Sequence, residues 1–155
     1  MKHSLNIAIT RNGFRAATYV PCSRFKKVFD ERACETLILA SREEEAIATG
    51  CGLALGGVVP IVLMQSSGLL NSLNCLGSLA VAYRIPLVCL ISMRGGTSDH
   101  NLTQRPVGNA TRVAVAALGA MTMTCTAIDF TEALSISKSK AINNRLPCVA
   151  LWGEN

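Results

Sequence analysis

Short apolar runs and amphipathic segments take turns along this chain. Runs of strand-forming residues stand at 17–20, 36–40, 58–64, 87–92, 121–124 and 148–152. Between them, residues 23–32, 43–55, 69–83, 107–118 and 130–143 place apolar side chains at helical spacing, and 5–14 predicts one more helix at the start. Strands that are apolar throughout are buried on both faces, and strands that alternate with helices predict βαβ units. The expected fold class is therefore α/β: a three-layer, doubly wound, mostly parallel sheet with helices on both faces, taking up residues 1–155 as a single domain. Capping-box spacing marks two helix starts, Ser41 with Glu44 and Asp129 with Glu132. The one long irregular segment, 93–106, has the length of a functional loop.

Composition sharpens this picture. Half of the 155 residues are hydrophobic and only 16% are charged, against a usual share of about a quarter. Disorder, a coiled coil and a charged tail are excluded, and part of the surface is expected to lie against another subunit. No charged residue occurs from Ala46 to Tyr83, but Gly56, Gly57, Pro60, Gln65, Asn71 and Asn74 interrupt the stretch. A membrane span needs roughly twenty predominantly apolar residues in a row, so a buried helix–strand–helix unit is expected here, with no membrane attachment.

The net charge of +5 comes from scattered basic residues, apart from a cluster of Arg24, Lys26 and Lys27. No stacking aromatics interleave with them, which argues against nucleic acid and leaves a small anionic substrate to account for the surplus. Seven cysteines without any CxxC pair suit reduced, buried thiols in a cytoplasmic protein better than a disulfide frame or a zinc site. The start has no apolar core ending in a cleavage site, so no signal peptide is expected.

Ligands of doubly wound sheets gather at the carboxyl ends of the strands, which selects residues 21–24, 41–45, 65–71 and 93–106. Gly50-Cys51-Gly52 followed by Gly56 mimics a dinucleotide fingerprint, yet it lies one helix too late. Glu43, Glu44 and Glu45 hold the helix start that a phosphate would need, so the glycines read as close packing. Cys22, between a strand and a helix, gives with His100 as base a nucleophile reading, that of a stand-alone hydrolase. The three glutamates suit the positive end of a helix dipole. From Glu43, helical spacing runs through Ala46, Ile47, Gly50 and Ala54, whereas Glu45 leads to Thr49 and Gly52. Glu43 thus heads a buried stripe and is the candidate acid–base group.

Ser41-Arg42-Glu43-Glu44-Glu45-Ala46, Gly52-Leu53-Ala54 and Met64-Gln65-Ser66-Ser67-Gly68-Leu69-Leu70-Asn71 resemble the pyrimidine-binding domain of thiamine-diphosphate-dependent decarboxylases. Tyr19-Val20-Pro21-Cys22-Ser23, and Ile85-Pro86 leading to Arg94-Gly95, narrow the resemblance to the sulfopyruvate and phosphonopyruvate decarboxylase group, especially the separate alpha subunits. Tyr19 and Leu70 stand where that group tends to have glycine.

The resemblance implies that Glu43 is the glutamate bonded to the aminopyrimidine ring of thiamine diphosphate. It puts Gln65, Ser67, Gly68 and Asn71 beside the cofactor, with Pro21 and Cys22 on the neighbouring loop. Arg94, His100, Gln104 and Arg105 are candidates for holding the anionic substrate, His100 also for proton transfer. The chain lacks the Gly-Asp-Gly…Asn pattern that holds the diphosphate and Mg²⁺ in this class and has no metal site of its own. A beta subunit is therefore implied, in a hetero-oligomer active only with both chains. The reaction implied is decarboxylation of sulfopyruvate to sulfoacetaldehyde and CO₂. A phosphonopyruvate decarboxylase, a carboligase subunit and a non-catalytic scaffold subunit are the alternatives.

Overall fold

A computed structural model of the chain describes residues 4–97 and 99–153. Strands β1 (Ala16–Tyr19), β2 (Thr36–Leu39), β3 (Ile61–Gln65), β4 (Val88–Ser92), β5 (Met121–Cys125) and β6 (Cys148–Trp152) form one sheet in the order β2-β1-β3-β4-β6-β5. Every pairing is parallel, so the doubly wound sheet is wholly rather than mostly parallel.

Alternation along the central strands feeds two separate cores. Ile61 and Leu63 of β3, with Val88 and Leu90 of β4, pack beneath α1 (Ser4–Arg11) and α6 (Phe130–Asn144). Their neighbours Val62, Met64, Cys89 and Ile91 face α2 (Glu43–Leu55), α3 (Ser66–Asn71) and α5 (Arg105–Ala117). A fully buried aliphatic side chain contributes about 1.5–3 kcal/mol, so a strand with no polar face gains from both layers. The glycine-rich stretch of α2 serves this packing at one position. A Cβ on Gly50 would sit 2.9 Å from Val62 Cγ2, while one on Gly52 would meet nothing within 4 Å.

Five of the seven aromatic residues, Tyr19, Phe25, Phe29, Phe130 and Trp152, form one cluster under the α1–α6 layer, edge-to-face at three contacts and tilted at the fourth. Tyr19 is buried there, so its bulk does not intrude on the carboxyl edge of the sheet. The seven cysteines are free thiols, and burial pushes Cys51 and Cys125 up to about 12. Among the described residues, no helix is long and apolar enough to cross a membrane.

Several local expectations change. Residues 23–32 form not an α-helix but two 3₁₀ turns, Phe25–Lys27 and Glu31–Ala33. Asp30 interrupts them: its Oδ1 accepts the Arg32 N–H at 3.0 Å, while its own N–H donates to Asn6 Oδ1 of α1 at 2.9 Å. The apolar spacing is still used, because Phe25, Val28 and Phe29 are all buried. The helix expected at 69–83 starts at Ser66 and is broken into α3, the short α4 (Leu73–Cys75) and a π-helical turn, Leu76–Val81. α5 begins at Arg105 rather than 107, since Pro106 fits a first turn, where a missing N–H costs nothing.

Neither capping box forms. Asp129 Oδ1 instead accepts from Thr126 N–H and Oγ1, at 2.7 and 3.1 Å. At α2, the Ser41 N–H donates to Glu45, not to Glu44.

The strand order reverses between β1 and β3 and again between β4 and β6. At β1 and β3 the connections leave toward opposite faces, the condition under which a crevice opens at the carboxyl edge. The loops following β1, β2, β3 and β4 all lie on that edge because the strands are parallel.

Candidate active site

The three glutamates at the start of α2 have separate tasks. Arg42 is extended (φ −137°, ψ 152°) and opens the helix. Glu45 Oε2 accepts the Ser41 N–H at 2.8 Å, and Glu44 pairs with Arg42 at 2.6 Å. Glu43, half-buried, heads the stripe in which Ala46 and Ile47 are fully buried. Its side chain lies over the first turn of α3, where a Cβ on Gly68 would overlap the Glu43 carboxylate. Contact, not backbone conformation, therefore demands glycine at 68. A carboxylate is thereby seated between two helix N-termini, at the edge where ligands of this architecture gather.

The other cofactor candidates lie at varied depth. Gln65 closes β3 and Gly68 is buried; Ser67 is half-buried, and Asn71 is exposed at the end of α3. Leu70 is half-buried. Pro21 is exposed, and the half-buried Cys22 holds its Sγ 3.4 Å from Ser92 Oγ across the sheet edge. Ser66 Oγ accepts the Arg94 N–H at 3.0 Å, tying the start of α3 to the loop after β4.

That loop is built around Asp99. Arg94 Nε donates to Asp99 Oδ2 at 2.8 Å, and Asp99 also accepts the N–H of Gly95 at 2.8 Å and of Asn101 at 3.0 Å. The Arg94 guanidinium, with these two N–H groups, holds the Asp99 carboxyl far below the ordinary carboxylate range. Arg94 Nη1 reaches on to Gln65 Oε1 at 3.3 Å. Gly95, at φ +79°, and Gly108 let the loop lie directly on the start of α5: a Cβ on Gly95 would meet the Gln104 and Arg105 backbone, and one on Gly108 the Arg94 carbonyl.

Beside the loop, at the β4–β6 reversal, opens a cleft of about 550 Å³, within the size range of small-molecule sites. Of the four substrate candidates, it brings together Arg94 and the exposed His100; Gln104 and Arg105 belong to the start of α5 and do not line it. Three basic residues absent from that candidate set do: Arg24, Lys27 and Arg112. Arg24 and Lys27 lie in the basic cluster legible in the sequence. Arg112 had no such signal, because only the packing of α5 turns it toward the cleft. Among the described residues, no group of three or more His, Cys, Asp or Glu could hold a metal ion.

No family model matches the chain. The alpha subunit of sulfopyruvate decarboxylase from Methanococcus maripaludis is 39% identical over 109 residues, 68% of this chain and 65% of that protein. Sulfopyruvate decarboxylase from Methanosarcina acetivorans is 33% identical over 147 residues, 91% of this chain and 37% of that one. Phosphonopyruvate decarboxylase from Streptomyces hygroscopicus is 36% identical over 110 residues, 65% of this chain and 27% of that one. The chain is thus similar to sulfopyruvate and phosphonopyruvate decarboxylases.

The chain spans 54–65% of the length of the alpha subunits it matches. Its fold is also that of a Mycobacterium smegmatis protein assigned as a thiamin diphosphate-dependent enzyme. The two superpose with a TM-score of 0.78 over 98% of this chain and 31% of the other, at 16% identity.

Proposed function

We propose that the chain is the alpha subunit of a two-chain, thiamine-diphosphate-dependent 2-oxo acid decarboxylase of the cytoplasm, acting on sulfopyruvate. The observation that carries this reading is the Glu43 carboxylate seated on Gly68 at the carboxyl edge of the sheet. The residues fit the pyrimidine end of the cofactor: a carboxylate on Glu43, the polar side chains of Gln65 and Ser67 at the end of β3 and the start of α3, and a Gly68 whose missing Cβ makes room for that carboxylate. When bound, the cofactor supplies the electron sink on which the carboxylate of a 2-oxo acid is lost as CO₂.

In this reading Glu43 holds a proton at a ring nitrogen of the aminopyrimidine and keeps that ring oriented. Gln65 and Ser67 offer hydrogen bonds beside it, and Pro21 and Cys22 close the crevice from the β1 side. The diphosphate and Mg²⁺ fall to a beta subunit, so the site lies between chains. Phosphonopyruvate is the second substrate reading, favoured by the Streptomyces hygroscopicus relative.

The test is Glu43→Gln in the complex of both subunits, assayed for CO₂ release from sulfopyruvate. Turnover should fall about 10²–10⁴-fold, the range of a lost acid–base contribution, with assembly intact. Unchanged turnover would contradict the catalytic role. Full activity of this chain without a partner would contradict the division of the cofactor.

A further inference from the structure

Among the described residues, four cationic side chains, Arg24, Lys27, Arg94 and Arg112, and one carboxylate, Asp99, line the cleft at the β4–β6 reversal. Asp99 is consumed by Arg94 and by two backbone N–H groups, and Arg94 is correspondingly spent on holding its loop. Lys27 and Arg112 are exposed and have no carboxylate partner among the described residues. Arg112 spends one N–H on Thr124 Oγ1, at 3.0 Å, and a guanidinium has five N–H donors to give.

Arg24 is fixed from both sides. Its Cζ lies 4.5 Å over the Trp152 ring, and its Nη1 donates to the Met93 carbonyl. Trp152 is held in turn by Phe25 and Phe130, so this positive charge is set in place before any ligand arrives. Like charges gathered in a concave site repel one another, and an anion reverses the sign of that interaction.

We infer that this cleft takes the anionic tail of the substrate, a sulfonate or phosphonate, with Lys27 and Arg112 as the groups that grip it and Arg24 as a positioning charge. The inference rests on the decarboxylase reading for what the anion belongs to. Arg94, the residue the motif singles out, is a structural strut here rather than the tail's ligand. Its guanidinium joins the two regions: Nη1 meets Gln65 on the cofactor side, and the same side chain walls the cleft. A 2-oxo acid with its reacting carbon near Gln65 and its tail toward Lys27 would span that wall.

The experiment uses the complex of both subunits carrying Lys27→Gln and Arg112→Gln, singly and together, with Lys26→Gln as control. Binding of 3-sulfopropionate and 3-phosphonopropionate, which keep the tail but lack the 2-oxo group, is measured by calorimetry. KM and kcat for sulfopyruvate are measured in parallel. Each single variant should weaken analogue binding and raise KM about tenfold, the scale of one charge-assisted contact, with kcat changed far less and Lys26→Gln silent.

Analogue affinity undiminished in the double variant, or no analogue binding by the unsubstituted complex, overturns the assignment. So does a loss that falls on thiamine diphosphate affinity and not on KM, which would make the cleft a cofactor site. If the analogues bind through Lys27 and Arg112 but no 2-oxo acid is turned over, the decarboxylase reading fails and the anion site stands.

Discussion

Gly68→Ala isolates the contact on which the proposed site depends. The new methyl group would overlap the Glu43 side chain from Cγ to Oε1. Glu43 is flexible, so the side chain swings aside before the backbone moves. Leaving its rotamer and repacking cost about 1–2 kcal/mol, a fall in Tm of about 3–6 °C for a chain of this size. In a Glu43→Ala background the overlap is gone, and alanine gains up to about 1 kcal/mol over glycine in a helix.

The double-mutant cycle should therefore show a coupling of about 2 kcal/mol, read by urea or thermal unfolding of the full chain. Decarboxylation by the two-subunit complex should fall about 10²-fold in Gly68→Ala, because a misplaced group loses that much even when present. Additive stability losses would refute the contact. Undiminished turnover in Gly68→Ala would refute the claim that seating Glu43 there matters.

Two further outcomes follow from geometry elsewhere. Gly50→Ala puts a Cβ 2.9 Å from the buried, branched Val62, so its overpacking of about 1–2 kcal/mol outweighs the gain in helix propensity. Gly52→Ala meets open space and should stabilise by about 0.5–1 kcal/mol; chemical denaturation of the pair checks the opposite signs. Asp99 has its folded-state pKa depressed below the ordinary 3.8 by Arg94 and backbone N–H groups. The stability it contributes is fully present above that value and lost as pH falls through the lower folded one. Unfolding curves of Asp99→Asn and the parent chain should differ most near neutral pH and converge as the solution is acidified below about pH 4.

Where the chain carries its own physical signal, the sequence was sufficient. β6 and α2 have the bounds that the pattern predicts, because a doubly buried strand and a helix opened by three acids are local facts. Glu43 could be told from Glu44 and Glu45 by its apolar stripe, since helical spacing fixes which face each side chain heads. The capping partners could not be assigned the same way. Ser41 pairs with Glu45 rather than Glu44 because the helix opens at Arg42, one residue later than the box assumes. The break at Asp30 was equally hidden, for it needs Asn6 from a helix 24 positions away.

The sequence by itself determined the α/β layering, the strands and the apolar stripe that Glu43 heads. Only the tertiary structure decided how the charges are used. It binds Arg94 to Asp99, leaves Gln104 and Arg105 outside the cleft, and brings Arg112 from the third turn of α5 to face Arg24 and Lys27. The reason is physical: a hydrophobic period is written within a few consecutive residues, whereas the partner of a charge depends on which distant segments the parallel sheet lays side by side.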